Sequence, residues 1–203
     1  MELEDRHKPE YHDAEYFEGN SKSGYDKSSF ILENDIFKHQ AEALNKYYEL
    51  AGKVVLDIGC ARGNLIYYMR AIGIHAWGID ISEWCKRNSH CKPFHMCFDA
   101  SKGIPFKDNL FDVVVSFETL EHIQNIDFVI EEIKRVMKPD GKFFSTIGIV
   151  GHEKDTSVGE LHGIEWWDKK ISNLLTAECN MKQLLDQDKL VIDYGWSTFC
   201  YKK

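Results

Sequence analysis

Short apolar runs alternate with amphipathic stretches through the middle of the chain. Residues 53–58, KVVLDI, form a continuous apolar run rich in β-branched side chains and end at a glycine, the pattern of a strand buried on both faces. Residues 63–73, GNLIYYMRAIG, then read as a helix closed by Gly73. The alternation continues with strands over 75–80, 93–99, 111–117 and 142–150 and helices over 82–90 and 128–138, the last ended by Pro139-Asp140-Gly141. Strands separated by helices imply a parallel sheet with right-handed crossovers and helices on both faces.

The flanks follow other patterns. Residues 1–32 are polar with interspersed aromatics: Tyr11, Tyr16, Phe17, Tyr25 and Phe30. Residues 34–50 place Ile36, Phe37, Leu44 and Tyr48 near helical spacing, with Asn34 or Asp35 as the cap. After a glycine- and histidine-bearing loop over 151–163, two helical stretches (164–175 and 177–187) precede two closing strands, 189–194 and 196–203. These strands bring the count to seven and predict an antiparallel element at the sheet edge. The expected organisation is a single domain, 1–203: an N-terminal lid and helix (1–50), a ligand-binding core (51–150), and a substrate-side insertion with closing strands (151–203).

At 203 residues, with 43% hydrophobic and 29% charged residues, the chain fits one globular α/β domain and is too short for two typical enzyme domains. No apolar run reaches the roughly 20 residues of a membrane span, and the acidic N-terminal stretch lacks the apolar core of a signal peptide, so a cytoplasmic location is the default expectation. A net charge of −8 argues against a nucleic-acid partner, whose phosphates select basic surfaces. The six cysteines include no CxxC pair. Cys85, His90, Cys91, His95 and Cys97 are ligand types lying close together, but without knuckle spacing they read as buried thiols and ordinary histidines rather than a zinc site.

The chemistry concentrates at the first strand-to-helix turn, Asp57-Ile58-Gly59-Cys60-Ala61-Arg62-Gly63-Asn64. A dinucleotide fingerprint would need glycine at 59, 61 and 64; the chain has Gly59, Ala61 and Asn64, so that fingerprint fails. An acid precedes the turn instead, badly suited to a pyrophosphate and well suited to an ammonium group. Asp80 and Asp99 end the next two strands, placing three acids along the sheet edge where open α/β sheets bind ligands. Taken singly, Asp57 is a strand-end acid, Asp80 a helix cap and Asp99 a turn opener; their coincidence at matched positions favours the binding reading.

These residues resemble the motifs of class I S-adenosylmethionine-dependent methyltransferases. VVLDIGCARGNL is similar to the family's first motif, with Ala61 where glycine is usual. GIDIS places Asp80 17 residues after Gly63, CFDA places Asp99, FDVVVSFETLEHI matches the fourth strand and turn, and IKRVMKPDGKFF matches the fifth element. The resemblance covers roughly residues 53–149 and implies a Rossmann-like, mostly parallel seven-stranded sheet with helices on both faces and an antiparallel edge strand. It implies S-adenosylmethionine as cofactor, held by Asp57, Gly59, Cys60, Ala61, Gly63, Asp80, Ile81, Asp99, Ala100 and Phe117. It further implies catalysis by His122 with Glu121, and transfer to oxygen or nitrogen of a small-molecule acceptor.

If the chain turned helical after the fourth strand, Glu118, Glu121 and His122 would share one face. Such a cluster resembles those of metal-assisted ubiquinone-pathway O-methyltransferases and small-RNA 2′-O-methyltransferases, with His162 of HGIEW as a fourth ligand. The metal-free reading is preferred, because the pattern is short and His162 lies in an unpatterned loop. The RNA enzyme is the first alternative and a non-catalytic methyltransferase-like binding module the second; retention of Asp57, Gly59, Gly63 and Asp80 speaks against the latter. Trp166 and Trp167 read either as core or as a wall of the acceptor pocket.

Overall fold

In a computed structural model the chain is described over residues 6–19, 22–23, 25–33, 35–149, 162–177 and 196–203. The core runs β1 (Val54–Ile58), α3 (Asn64–Ala71), β2 (His75–Asp80), α4 (Glu83–Arg87), β3 (His95–Cys97), β4 (Phe111–Phe117), α5 (Ile126–Val136) and β5 (Met137–Gly148). It is preceded by α1 (Ala14–Glu18) and α2 (Asp35–Tyr48), and followed by α6 (Ile164–Ser172), β6 (Thr176–Ala177) and β7 (Trp196–Lys202). The sheet order is β3-β2-β1-β4-β5-β7-β6, parallel through β5, with β7 antiparallel to both β5 and β6. The expected seven-stranded, mostly parallel sheet with an antiparallel edge is therefore the observed one.

Strand periodicity divides the core into two layers. Val55, Val113, Val115 and Phe144 face one side and pack with Ala41 and Leu44 of α2 and Leu65, Ile66 and Met69 of α3. Their chain neighbours Leu56, Val114 and Phe143 face the other side and meet Val129, Ile130 and Ile133 of α5 and Trp167 and Ile171 of α6. Alternating Cβ directions produce this split, and each fully buried aliphatic side chain contributes roughly 1.5–3 kcal/mol of transfer free energy. Among the described residues no helix is long and apolar enough to cross a membrane.

Several boundaries differ from expectation for local reasons. Pro93 lacks a donor, so Lys92–Phe94 forms a 3₁₀ turn and β3 shortens to His95–Cys97. The helix expected over 82–90 is confined to Glu83–Arg87, with Ser82 capping it through Cys85 N at 3.0 Å. The helix expected to stop at Pro139-Asp140-Gly141 ends earlier, at Val136, and those three residues lie within β5, where Asp140 has φ +62° and the pairing with β4 shifts register. The helix expected over 164–175 ends at Ser172. Thr176–Ala177 form the short strand β6 against β7, so Ala177 does not begin the helix expected over 177–187; the rest of that helix and the strand expected at 189–194 lie outside the described residues.

Candidate active site

The C-terminal ends of β1, β2 and β4 open onto a cavity of about 900 Å³, roofed by the N-terminal segment. This size falls within the ~300–1,000 Å³ of small-molecule sites. Asp80 stands at the end of β2, buried, its Oδ2 accepting from Ala61 N and its Oδ1 from Ser82 N, both at 2.8 Å. Burial raises its pKa to about 6, and the two backbone donors pull against that rise. Each oxygen retains a lone pair for a hydroxyl donor. Asp99 follows β3; its Oδ1 accepts from Ser101 N (3.0 Å) and Ser101 Oγ (2.6 Å), and its Oδ2 meets Lys102 Nζ at 3.1 Å. Gly59, Ala61, Ile81, Ala100 and Phe117 also line the cavity.

Four of the residues expected to hold the cofactor or carry out catalysis do not line it. Asp57 is buried beside Asp80, and burial together with the Asp80 charge holds its carboxyl well above the usual range. Cys60 is packed into the α3 side of the core, its thiol pushed far up by burial. Gly63, with φ +76°, caps α3 behind the loop. Glu121 turns away to accept from Gly148 N at 2.6 Å.

The loop 59–63 has a distinctive hydrogen-bond arrangement. Gly59 N and Cys60 N both donate to Ile79 O (2.9 and 3.1 Å), Ala61 N to Asp80, and Gly63 N to Cys60 O at 2.8 Å. A phosphate-binding loop aims such groups at its anion; here they are spent on β2 and on the loop itself. The residues therefore suit a nucleoside without phosphates, and S-adenosylmethionine meets that condition. Gly59 is needed for a reason the sequence did not show. At φ +77° its missing Cβ would lie 2.0 Å from Thr119 Oγ1, so the turn after β4 by itself requires glycine here.

That turn also corrects the helical expectation. Glu118 has φ +48°, in the left-handed region, and only Leu120–His122 forms a 3₁₀ turn. Glu118, Glu121 and His122 consequently share no helical face. Burial raises the Glu118 pKa to about 7; Glu121 lies well above its usual range through burial and the neighbouring Glu118. His162 stacks on Trp166 with ring centroids 3.7 Å apart. Among the described residues no three His, Cys, Asp or Glu side chains are arranged to hold a metal ion, the Cys85–Cys97 group included. Neither Trp166 nor Trp167 lines the cavity; Trp167 is core.

The N-terminal segment is the part of the site that periodicity could not place. Tyr11, Tyr16 and Phe17 are buried in a cluster with Cys85, and Phe17 stacks on Trp84 at 5.6 Å and 8°. Tyr16, Phe17, Tyr25, Phe30 and Phe37 line the cavity. Ser82 Oγ donates to His12 O at 2.5 Å, Asn64 Nδ2 to the Phe30 and Ile31 carbonyls at 3.0 Å, and Tyr68 OH to Leu32 O at 2.6 Å. His7, Lys8 and His12 join the lining, as do Thr119, His122 and Thr146; apart from His122, sequence reasoning named none of these.

Comparison with known proteins agrees with this geometry. A family model described as a methyltransferase domain matches residues 33–190. The ubiquinone biosynthesis O-methyltransferase of Paraburkholderia phytofirmans is 34% identical over 112 residues, covering 51% of this chain and 48% of that protein. The sterol 4-C-methyltransferase strm-1 of Caenorhabditis elegans is 32% identical over 142 residues, 63% of this chain and 41% of that protein. The chain thus spans about half the length of the curated relatives it matches. Among solved structures, the cyclase SpnF superposes with a TM-score of 0.64 at 19% identity, covering 82% of this chain and 80% of its own. An S-adenosylmethionine-dependent methyltransferase from Mesorhizobium loti gives 0.62 at 12%, covering 79% and 98%. Likeness at such identities establishes the fold alone. With the family match spanning most of its length, the chain belongs to the class I S-adenosylmethionine-dependent methyltransferases.

Proposed function

We propose that this chain transfers the methyl group of S-adenosylmethionine to an oxygen or nitrogen of a small molecule held between the end of β4 and the N-terminal segment. The observation that carries the reading is the loop 59–63, in which the amides of Gly59, Cys60, Ala61 and Gly63 are consumed internally while Asp80 and Asp99 face the cavity, an arrangement for an adenosyl group and against a pyrophosphate. Asp80 would accept from the ribose hydroxyls and Asp99 from the adenine amino group, with Gly59, Ala61, Ile81, Ala100 and Phe117 in contact. Bound S-adenosylmethionine supplies an electrophilic methyl and a neutral thioether leaving group. The protein's part is then alignment, exclusion of water by the aromatic roof, and acceptance of the acceptor's proton by an imidazole. The imidazoles of His7, His12 and His122 line the cavity, and of these the sequence had singled out His122 for that step. Glu121, hydrogen-bonded to Gly148 N, serves by holding the turn.

A small acceptor is supported by the cavity's volume of about 900 Å³ and the net charge of −8. The relatives named for ubiquinone and sterol methylation point the same way. Calorimetry tests the first half: S-adenosylmethionine or its demethylated product should bind and NAD should not, and Asp80→Ala should weaken binding. Binding of NAD alone would refute the assignment. Transfer of labelled methyl from S-adenosylmethionine to a metabolite extract, with and without chelator, tests the second half.

A further inference from the structure

His7 and His122 are 115 residues apart in sequence, yet the His7 Nδ1 lies 2.7 Å from the His122 carbonyl oxygen, and both residues line the cavity. A carbonyl oxygen can only accept, so the proton of a neutral His7 ring must sit on Nδ1. This fixes the tautomer: Nε2 carries a lone pair and no hydrogen. An imidazole oriented through one nitrogen by a fixed acceptor, with the other nitrogen bare, is how proton-accepting histidines are held in enzymes. The orienting oxygen here belongs to a backbone that is itself pinned. His122 N donates to Thr119 O at 3.0 Å, Glu118 N to Thr146 O at 3.0 Å, and Gly148 N to Glu121. The acceptor for His7 is therefore as rigid as the end of β5.

We infer that His7 is the general base of the methyl transfer, delivered to the site by the N-terminal segment and oriented by the His122 backbone carbonyl. The inference rests on the methyltransferase reading above. In the step, the acceptor's O–H or N–H proton passes to His7 Nε2. The acceptor lone pair forms the new bond to the methyl carbon while the carbon–sulfur bond breaks, its electron pair remaining on sulfur as the neutral thioether. His7 becomes an imidazolium whose Nδ1–H still faces the His122 carbonyl, a favourable charge-assisted hydrogen bond. The base reaches the cavity only when the segment carrying it is docked, as by the bond between Ser82 Oγ and the His12 carbonyl. Ser82 N is in turn held by Asp80, so the proposed ribose-binding carboxylate and the base-bearing segment share one hydrogen-bonded chain.

Two measurements on the full chain test this. Nitrogen-15 long-range correlation spectra of histidine-labelled protein loaded with S-adenosylhomocysteine, with His7 assigned by its loss in His7→Asn, should show a hydrogen on Nδ1 and none on Nε2. A hydrogen on Nε2 overturns the inference, whatever the activity. In the labelled-methyl assay with metabolite extract, His7→Asn keeps an amide donor for the His122 carbonyl but removes the base. It should lower turnover by roughly 10²–10⁴-fold, with the KM for S-adenosylmethionine within about twofold of wild type. His122→Ala, which leaves the carbonyl in place, separates the two imidazoles and should lose less turnover than His7→Asn. Near-normal turnover in His7→Asn, or loss confined to His122→Ala, sinks the proposal. If the unaltered chain binds no S-adenosylhomocysteine, the methyltransferase reading fails, and the tautomer of the ligand-free chain still decides the orientation of His7.

Discussion

Replacing Gly59 by alanine probes how the first loop and the turn after β4 depend on each other. The added Cβ would sit 2.0 Å from Thr119 Oγ1, 2.3 Å from its Cγ2 and 2.7 Å from its Cβ, all far inside van der Waals contact. A left-handed alanine costs about 1 kcal/mol relative to glycine. Displacing Thr119 adds an over-packing cost of ~1–3 kcal/mol. Its hydroxyl also loses the bond to Phe117 O, at 2.9 Å, worth about 1 kcal/mol. Together the expected destabilisation is about 4 kcal/mol, or a melting temperature lower by roughly 10 °C for a chain of this size. Urea denaturation followed by circular dichroism, on ligand-free protein, measures it. The steric share should vanish when Thr119→Gly is combined with Gly59→Ala, leaving only the backbone share of about 1 kcal/mol relative to Thr119→Gly alone. Additive single and double variants, to within about 0.5 kcal/mol, would refute the reasoning. Gly59 would then be required by the ligand rather than by Thr119.

Three further outcomes are expected. His95 is fully buried with neither ring nitrogen hydrogen-bonded, and burial, with Lys86 nearby, lowers its pKa to about 4 from 6.5. A depressed folded-state pKa gives stability that is complete above 6.5 and lost as pH falls toward 4, so His95→Leu should gain about 2 kcal/mol over wild type between pH 8 and pH 5 in urea titrations; parallel pH profiles would count against it. Asp80, raised to about 6, is protonated at pH 5 in the ligand-free chain. Affinity for S-adenosylhomocysteine should therefore rise about tenfold from pH 5 to pH 7.5, and Asp80→Asn should flatten the calorimetric profile. Arg135 holds Glu132 through two nitrogens (2.6 and 2.7 Å), Asp108 at 2.7 Å, and the Ile104 and Phe106 carbonyls at 2.8 Å. Lysine cannot reproduce that fork, so Arg135→Lys should cost about 1–2 kcal/mol in thermal unfolding, and an unchanged midpoint would show the fork to be dispensable.

The parallel core was legible in the sequence because its signals are local. Period-two and apolar runs fix the strands, and Gly59, Asp80 and Asp99 fall at strand ends whatever happens elsewhere. Side chains at those ends are brought to one edge by parallel topology alone, so the proposed adenosyl-binding positions could be named without coordinates. What periodicity could not assign was direction. Asp57, Cys60 and Glu121 lie in the predicted motifs but turn into the core or toward Gly148 N, because burial and hydrogen bonding, not spacing, decide where a side chain points. The helical face expected for Glu118, Glu121 and His122 was lost to one left-handed residue, Glu118, which sequence pattern does not mark. The N-terminal segment was the least readable, since its aromatics carry no period and gain meaning only against Trp84, Ser82 and the turn after β4. The meeting of His7 with the His122 carbonyl across 115 residues is a product of tertiary docking, and no local rule contains it.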